Sequence, residues 1–247
     1  MATTLPVAKN PSWDGSFPYL GFRIIEDFPR FDKQILDDIA SFGVCDVADQ
    51  VGELYAMEPV IRAGYPNMKP AIGNALTIKA APGDSIMIKK AIELVKDGDI
   101  VVIDNRGFTS ACVGGGNIAL AFKKAGATGM VIDGAWRDVA EAEAADFPIY
   151  LKGIHPVTTP KRGPGEINTP VCCGSVVVEA GDVVFADREG IVVIPARAVM
   201  AIHDRLMKKR EPKPVDPDAK AKKQQAELER RAYMDALFAA RGAEIIK

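Results

Sequence analysis

Two short runs, Ile100-Val101-Val102-Ile103-Asp104 and Thr128-Gly129-Met130-Val131-Ile132, are apolar at consecutive rather than alternate positions. A strand with one wet face alternates in polarity. A strand apolar on both faces has to be covered on both sides, as in the middle of a layered sheet. Between the two runs lie Gly114-Gly115-Gly116 and a stretch, 117–125, with helical character. Strand, helix and strand in succession restrict the chain to a mixed α/β domain.

The flanking sequence extends that pattern. Phe31, Ile35, Ile39 and Phe42 share one helical face, and Gly43 stops it. Residues 44–51 start a second short helix, and a loop rich in Pro and Gly follows. The spacing predicts a strand over 75–80, a helix over 84–95, an Ala- and Glu-rich helix over 138–145 and a strand from 148 to 151. Three β-branched runs, 176–178, 183–185 and 191–194, are punctuated by Gly181-Asp182 and Glu189-Gly190, which predicts an antiparallel or mixed sheet. Beyond Pro195 the character changes: helical over 196–210, a Pro-rich breaker over 211–217, then a long charged helix over 218–240. That helix carries Ala226, Leu228, Ala232, Met234, Leu237 and Phe238 along one stripe. The expected organisation is an N-terminal arm (1–30), a catalytic domain (31–195) and a C-terminal helical extension (196–247) suited to a subunit interface.

Composition narrows the function classes. A formal net charge of −2 over 247 residues lacks the basic excess of a broad nucleic-acid surface. No apolar run approaches the roughly 20 residues of a membrane helix, and the start of the chain lacks the pattern of a secretory signal. The four cysteines are scattered without a C-x-x-C pair, and His155 and His203 are the two imidazoles, so a zinc site is not expected. Adjacent Cys172 and Cys173 read as small buried thiols. These features point to a cytoplasmic protein with neither nucleic acid nor membrane as partner.

The chemistry gathers at the end of the second apolar run, Val131-Ile132-Asp133-Gly134-Ala135-Trp136-Arg137-Asp138, and at the three glycines, with twenty residues between Gly116 and Arg137. Glycines let a ligand approach the backbone, and the first N–H groups of a helix beginning there have no internal acceptors. Gly114, Gly115, Gly116, Asn117 and Ile118 are therefore candidates to bind a carboxylate. Arg137 can hold a carboxylate or ketone oxygen through its planar fork. Asp138 suits Mg²⁺, which takes one or two carboxylates and keeps several waters. Together they would chelate a 2-oxo acid and stabilise the enolate formed when its C3–C4 bond breaks. A lone Arg-Asp pair is often just a surface ion pair worth under about 1 kcal/mol, and a lone Gly-Gly-Gly just a flexible loop. Here both sit on one β-loop-α-β unit.

These residues resemble the RraA-like family. The resemblance rests on Gly114-Gly115-Gly116, the twenty-residue spacer and 131–138, supported by 44–49, Pro82-Gly83-Asp84, 98–104, 147–150, Gly181-Asp182-Val183-Val184 and 188–195. The family includes class II 4-hydroxy-4-methyl-2-oxoglutarate/4-carboxy-4-hydroxy-2-oxoadipate aldolases with oxaloacetate decarboxylase activity, and the regulator of ribonuclease E activity. The resemblance implies an α-β-β-α sandwich related to the phosphohistidine swivelling domain, and a homotrimer or dimer of trimers with sites at subunit interfaces. It also implies Arg137 as the substrate-binding arginine, Asp138 as the aspartate ligating Mg²⁺ or Mn²⁺ largely through waters, and the amides of Asn117 and Ile118 as the pyruvate-carboxylate site. One departure matters: aldolase members carry an acidic residue where this chain has Gly116. Proton transfer then falls to another agent, such as a metal-bound water, Asp104 at the end of the neighbouring strand, or a carboxylate from another subunit.

Other candidates have simpler readings. His155 suits a structural role, Asp46 and Asp49 (i, i+3) suit capping or ion pairing, and 187–190 suits a turn. The expectation is a divalent-metal-dependent carbon–carbon lyase on a small 2-oxo acid. A non-catalytic trimeric regulator, or a different reaction on a related hydroxy or oxo acid, is the alternative that Gly116 raises.

Overall fold

The structure, a computed structural model, describes residues 21–158, 161–210 and 218–243. Residues 1–20 of the expected arm and the breaker at 211–217 lie outside the described residues. The first helices are α1 (Lys33–Ala40) and α2 (Val44–Val51). The short edge strand β1 (Arg62–Ala63) leads to β2 (Ala71–Ala80), α3 (Ile86–Ala91), β3 (Asp99–Cys112), α4 (Gly116–Ala125), β4 (Gly129–Trp136), α5 (Val139–Ala144) and β5 (Ile149–Ile154). Then come β6 (Gly165–Ile167), β7 (Val171–Cys173), β8 (Val176–Val178), β9 (Val183–Asp187), β10 (Gly190–Ile194) and α6 (Val199–Arg210).

The main sheet has the order β1-β5-β4-β3-β2-β9-β10, with β6 also pairing β2, and β7 and β8 form a separate two-stranded ribbon. β2 through β5 run parallel through the crossover helices, whereas β1, β6 and β9 join antiparallel. The doubly apolar runs lie on β3 and β4, at the centre of the order.

Strand parity then distributes side chains between layers, because successive residues point to opposite faces. Val101 and Ile103 of β3 join a core with Ile88, Phe122 and Ala142 from α3, α4 and α5. Ile100 and Val102 point the other way, into a core with Val176, Val178, Val184 and Ile191. The alternate residues of β9 and β10 (Val183, Phe185, Val192, Ile194) pack on Leu36, Ile39, Val47, Ile202 and Leu206 from α1, α2 and α6. Three cores between four layers make an α-β-β-α sandwich, as the sequence reading expected.

Local details differ from the pattern reading. The helix expected over 84–95 starts only at Ile86, because Asp84 is spent on the preceding turn, where its Oδ1 accepts the Ile86 N–H at 2.8 Å, and it closes in a 3₁₀ turn over Ile92–Leu94. β3 continues past Asp104 to Cys112 through register shifts, with Arg106 and Gly107 at positive φ. Cys173 is buried but Cys172, one residue away on the same strand, is exposed. A compact unit extends to Lys208 and so takes in α6, whose Val199, Ile202 and Leu206 are core residues. The remainder of the C-terminal extension is a second unit containing α7 (Ala219–Ala240), with Leu228, Tyr233, Met234 and Phe238 exposed. Among the described residues no helix is long and apolar enough to cross a membrane.

One buried ion pair ties residue 30 to the start of β3. Arg30 donates from Nε to Asp99 Oδ1 at 2.7 Å and from Nη2 to Oδ2 at 2.9 Å, and Oδ2 also accepts the Lys96 N–H at 2.9 Å. Asp99 is fully buried. Asp99→Ala removes the buried partner of Arg30, which keeps only its exposed partner Asp27, and leaves the Lys96 N–H without its acceptor, so it is expected to destabilise the domain by about 1–3 kcal/mol. A lowered denaturant midpoint at unchanged m-value would be the signature; an unchanged midpoint would contradict it.

Candidate functional site

The loop between β3 and α4 is fastened to the end of β4. Val113 N–H donates to Ala135 O at 3.0 Å, and Arg137 N–H donates to Gly114 O at 3.2 Å. A third attachment runs from Cys112 N–H to Val157 O at 2.8 Å. The three glycines make this close docking feasible, each against a different side chain. A Cβ on Gly114 would overlap the buried Trp136 indole. One on Gly115 would lie 2.8 Å from Asp138 Oδ2 and 2.9 Å from Arg137 Cγ. One on Gly116 would overlap the carboxylate of Glu141. The glycine run is therefore a close-packed surface, not a slack loop.

Arg137 and Asp138 follow directly from the end of β4. Asp138 takes a left-handed conformation (φ 53°, ψ 41°) that asparagine and aspartate tolerate better than other side-chain-bearing residues, and it is the N-cap of α5. That bend sets its half-exposed carboxylate against Gly115. Arg137 Nε lies 3.2 Å from Asp138 Oδ2, but off the line a hydrogen bond requires, so the aspartate supplies charge without occupying that donor. Arg137 Nη1 reaches Pro156 O at 3.4 Å. Much of the guanidinium fork is left for a ligand.

These groups line a cavity of about 240 Å³ with Gly114, Gly115, Asn117 and Ile118. Gly115 is the N-cap of α4 and has no side chain to cap it. The Ile118 N–H donates to Gly115 O at 2.9 Å, so the amide expected there to meet a carboxylate is engaged within the turn. The Gly116 and Asn117 N–H groups have no acceptor among the described residues and carry the positive end of the helix dipole.

Two further anchors shape the cavity and were not read from the sequence. Asn105, fully buried, donates to Ala81 O at 2.8 Å and accepts the Gly83 N–H at 3.3 Å, fixing the loop that contributes Gly83 to the wall. Asp84, also buried, accepts the N–H groups of Arg162 and Gly163 and so pins the 161–163 segment beside α3. Lys89 on α3 and Lys161 line the same cavity. Glu141 was missed as well, although Asp138 and Glu141 at i, i+3 share a helix face in the sequence.

Asp104 is not brought to Arg137. It follows Ile103 on β3 and so faces the β7–β8 side, where its carboxylate accepts the Arg106 and Cys172 N–H groups at 2.9 and 3.2 Å. There it lines a separate cavity with Asp133 and Cys172. His155 is occupied in a turn, its Nδ1 accepting the Val157 N–H at 3.2 Å. Asp46 and Asp49 lie exposed on α2, in the other outer layer, and Asp187 closes the β9–β10 turn by accepting the Glu189 N–H at 2.7 Å. Cys112, in the cavity wall, has its thiol pushed up by burial despite the nearby Arg137 charge, which makes it a poor nucleophile.

A divalent metal here would rest on Asp138 and water. No group of three or more His, Cys, Asp or Glu residues that could hold a metal occurs among the described residues. One half-exposed, hard carboxylate suits Mg²⁺ or Mn²⁺ held mainly through waters, and does not suit a structural zinc.

Residues 42–193 match the family model described as RraA-like, Aldolase/RraA. This chain belongs to the RraA-like family. A protein of Halalkalibacterium halodurans named "Putative 4-hydroxy-4-methyl-2-oxoglutarate aldolase" is 36% identical over 124 residues, half of this chain and 59% of that protein. One of the same name from Ectopseudomonas mendocina is 32% identical over 61% of this chain and 92% of its own length. Among solved structures, Streptomyces coelicolor RraAS2, described as an unusual member of the RNase ES inhibitor RraA family, superposes with a TM-score of 0.68. It is 24% identical, over 75% of this chain and 96% of its own, and so speaks to the fold alone.

The packing makes a direct prediction. Gly114→Ala must displace a fully buried indole, and overpacking of this kind costs about 1–3 kcal/mol. Thermal unfolding of the variant should shift down accordingly; a melting temperature equal to wild type would show that the glycine–indole contact is looser than described.

Proposed function

We propose that this protein is a divalent-metal-dependent carbon–carbon lyase acting on a small 2-oxo acid, with pyruvate as product. The observation that carries this reading is the convergence on one cavity of a partly unengaged guanidinium, an adjacent half-exposed carboxylate and the unpaired Asn117 amide at the start of α4, with the unpaired Gly116 amide next to it. The Gly116 and Asn117 N–H groups hold the substrate carboxylate. Arg137 holds the ketone oxygen, where negative charge collects as the C3–C4 bond breaks, so its contribution is greatest in the transition state. Asp138, with water, would hold Mg²⁺ or Mn²⁺, which when bound supplies Lewis acidity at that oxygen.

The carboxylate that Gly116 lacks has a spatial replacement. Glu141 occupies the volume a side chain at 116 would fill, and we assign it the proton-transfer role left open by the glycine. Oxaloacetate-type decarboxylation makes the smaller demand, since loss of CO₂ generates the enolate without a base, and Glu141 then has only to return a proton to C3. Retro-aldol cleavage also needs the substrate hydroxyl deprotonated. The assembly fitting this reading is a cytoplasmic homotrimer or dimer of trimers, with neither nucleic acid nor membrane as partner. The second reading, a non-catalytic regulator, draws on the glycine at 116.

Pyruvate release from oxaloacetate, coupled to lactate dehydrogenase with and without EDTA, separates the two. Arg137→Ala and Asp138→Ala are each expected to abolish the Mg²⁺-stimulated rate; unchanged turnover in either would overturn the site assignment. Metal-independent silence of the wild type towards all oxo acids tried would favour the regulator. Glu141→Gln should lower kcat by about 10²–10⁴-fold with little change in KM, the usual range for a lost proton-transfer group. Gly116→Asp combined with Glu141→Ala should recover part of that loss, and no recovery would argue against the spatial exchange.

A further inference from the structure

Among the described residues the Arg137 side chain makes one hydrogen bond, from Nη1 to Pro156 O at 3.4 Å. Its Nε has no acceptor, and the nearby Asp138 carboxylate attracts it without fixing its direction. A long, half-exposed side chain held so lightly regains its rotamer freedom once that carbonyl moves away. Whatever keeps the Pro156 carbonyl in place therefore also sets the direction of the guanidinium.

Burial does not hold that carbonyl. β5 ends at Ile154, and Ile154, Pro156, Val157 and Thr158 are all exposed. Hydrogen bonds hold the segment instead. The His155 N–H donates to Trp136 O at 3.1 Å, at the end of β4, and Val157 O accepts the Cys112 N–H at 2.8 Å, at the end of β3. Between these two anchors stands Pro156, which has no N–H of its own. The side chain of His155 closes the turn around it, its Nδ1 accepting the Val157 N–H at 3.2 Å. Asparagine and aspartate close the same ring in an Asx turn, because their Oδ1 stands as many bonds from the backbone as histidine Nδ1 does. Accepting that hydrogen bond requires a bare Nδ1, so the proton of the neutral ring sits on Nε2.

We propose that His155 is a positioning residue for Arg137. By closing the 155–157 turn it fixes the Pro156 carbonyl, and that carbonyl holds the guanidinium at the cavity wall with its remaining donors free for a ligand oxygen. The role rests on the lyase reading for what Arg137 does in the reaction, but not for how Arg137 is held. His155 is not among the residues lining the cavity and acts only through the turn. Preorganisation of this kind acts on the rate, because a guanidinium already aimed where negative charge develops does not have to be ordered during the reaction. An exposed Gly153-Ile154-His155-Pro156 segment thus serves the site by hydrogen-bond geometry and not by acid–base chemistry.

The test follows the Arg137 Nε–H group by NMR in the full-length protein carrying isotope-labelled arginine, its signal assigned by its absence from Arg137→Lys. In wild type this group should be ordered, and in His155→Ala its order parameter should fall below about 0.6. His155→Asn should keep the wild-type value, since its Oδ1 can close the turn. His155→Gln, whose carbonyl sits one bond farther out, should behave as the alanine variant does. An Arg137 already mobile in wild type, one equally ordered in His155→Ala, or one loosened as much by His155→Asn would each overturn the proposal. Kinetics then reads the consequence. For Mg²⁺-stimulated pyruvate release from oxaloacetate, His155→Ala should lower kcat by about 10–100-fold with KM within about twofold, and His155→Asn should stay within about threefold of wild type. Full turnover alongside a mobile Arg137 would overturn the positioning role. A wild type that shows the NMR pattern yet releases no pyruvate keeps the Arg137 anchor and loses the lyase reading.

Discussion

The approach of the residue 114–116 backbone to the end of β4 is the constraint on which the rest of the site depends. Gly114 against the Trp136 indole, Gly115 against Asp138 and Arg137, and Gly116 against Glu141 are three consecutive contacts that a Cβ would prevent. They bring the start of α4 alongside the two residues that leave β4, so that helix N–H groups, a guanidinium and two carboxylates share one neighbourhood. Each group alone is commonplace on a protein surface. Their concentration follows from the shortest side chain occurring three times in succession beside one of the largest.

Around that contact, the fold supplies rigidity from buried polar anchors and not from the active groups themselves. Asn105 fixes one wall loop, Asp84 fixes another, and the Arg30–Asp99 pair locks the beginning of β3. Asn105, Asp84 and Asp99 are buried and satisfied, which is how polar side chains can hold loops without leaving unpaired groups in the core. The groups assigned to chemistry show the opposite pattern. Arg137 and Asp138 are half-exposed, and Asp138 adopts a backbone conformation few residues accept. Of the six non-glycine residues at positive φ among the described residues, Asp138 is the one that lines this cavity.

The charge balance of the cavity carries its own lesson about metal and substrate. With one carboxylate among its lining residues, the site would offer a divalent ion little direct coordination by protein. Against that carboxylate stand three cations of the lining, Lys89, Arg137 and Lys161.

Much of this was legible in the sequence. Doubly apolar runs at 100–104 and 128–132 determined a central parallel pair, the β-branched runs after 176 determined the second sheet layer, and the Gly-Gly-Gly and Arg-Asp spacing singled out the cavity wall. These patterns are local, and burial on one or both faces is written into residue periodicity. Which side chains meet across elements is not local. Asp104 looked available as a strand-end carboxylate, but its parity on β3 sends it to the far face of the sheet, away from Arg137. Glu141 fills the space left by Gly116 from 25 positions further along the chain, and Asp84 pins the 161–163 segment beside α3 from almost 80 positions away. Such pairings depend on how helices and loops dock on the sheet. The sequence determined which groups the site would draw on, and packing alone decided which of them share a cavity.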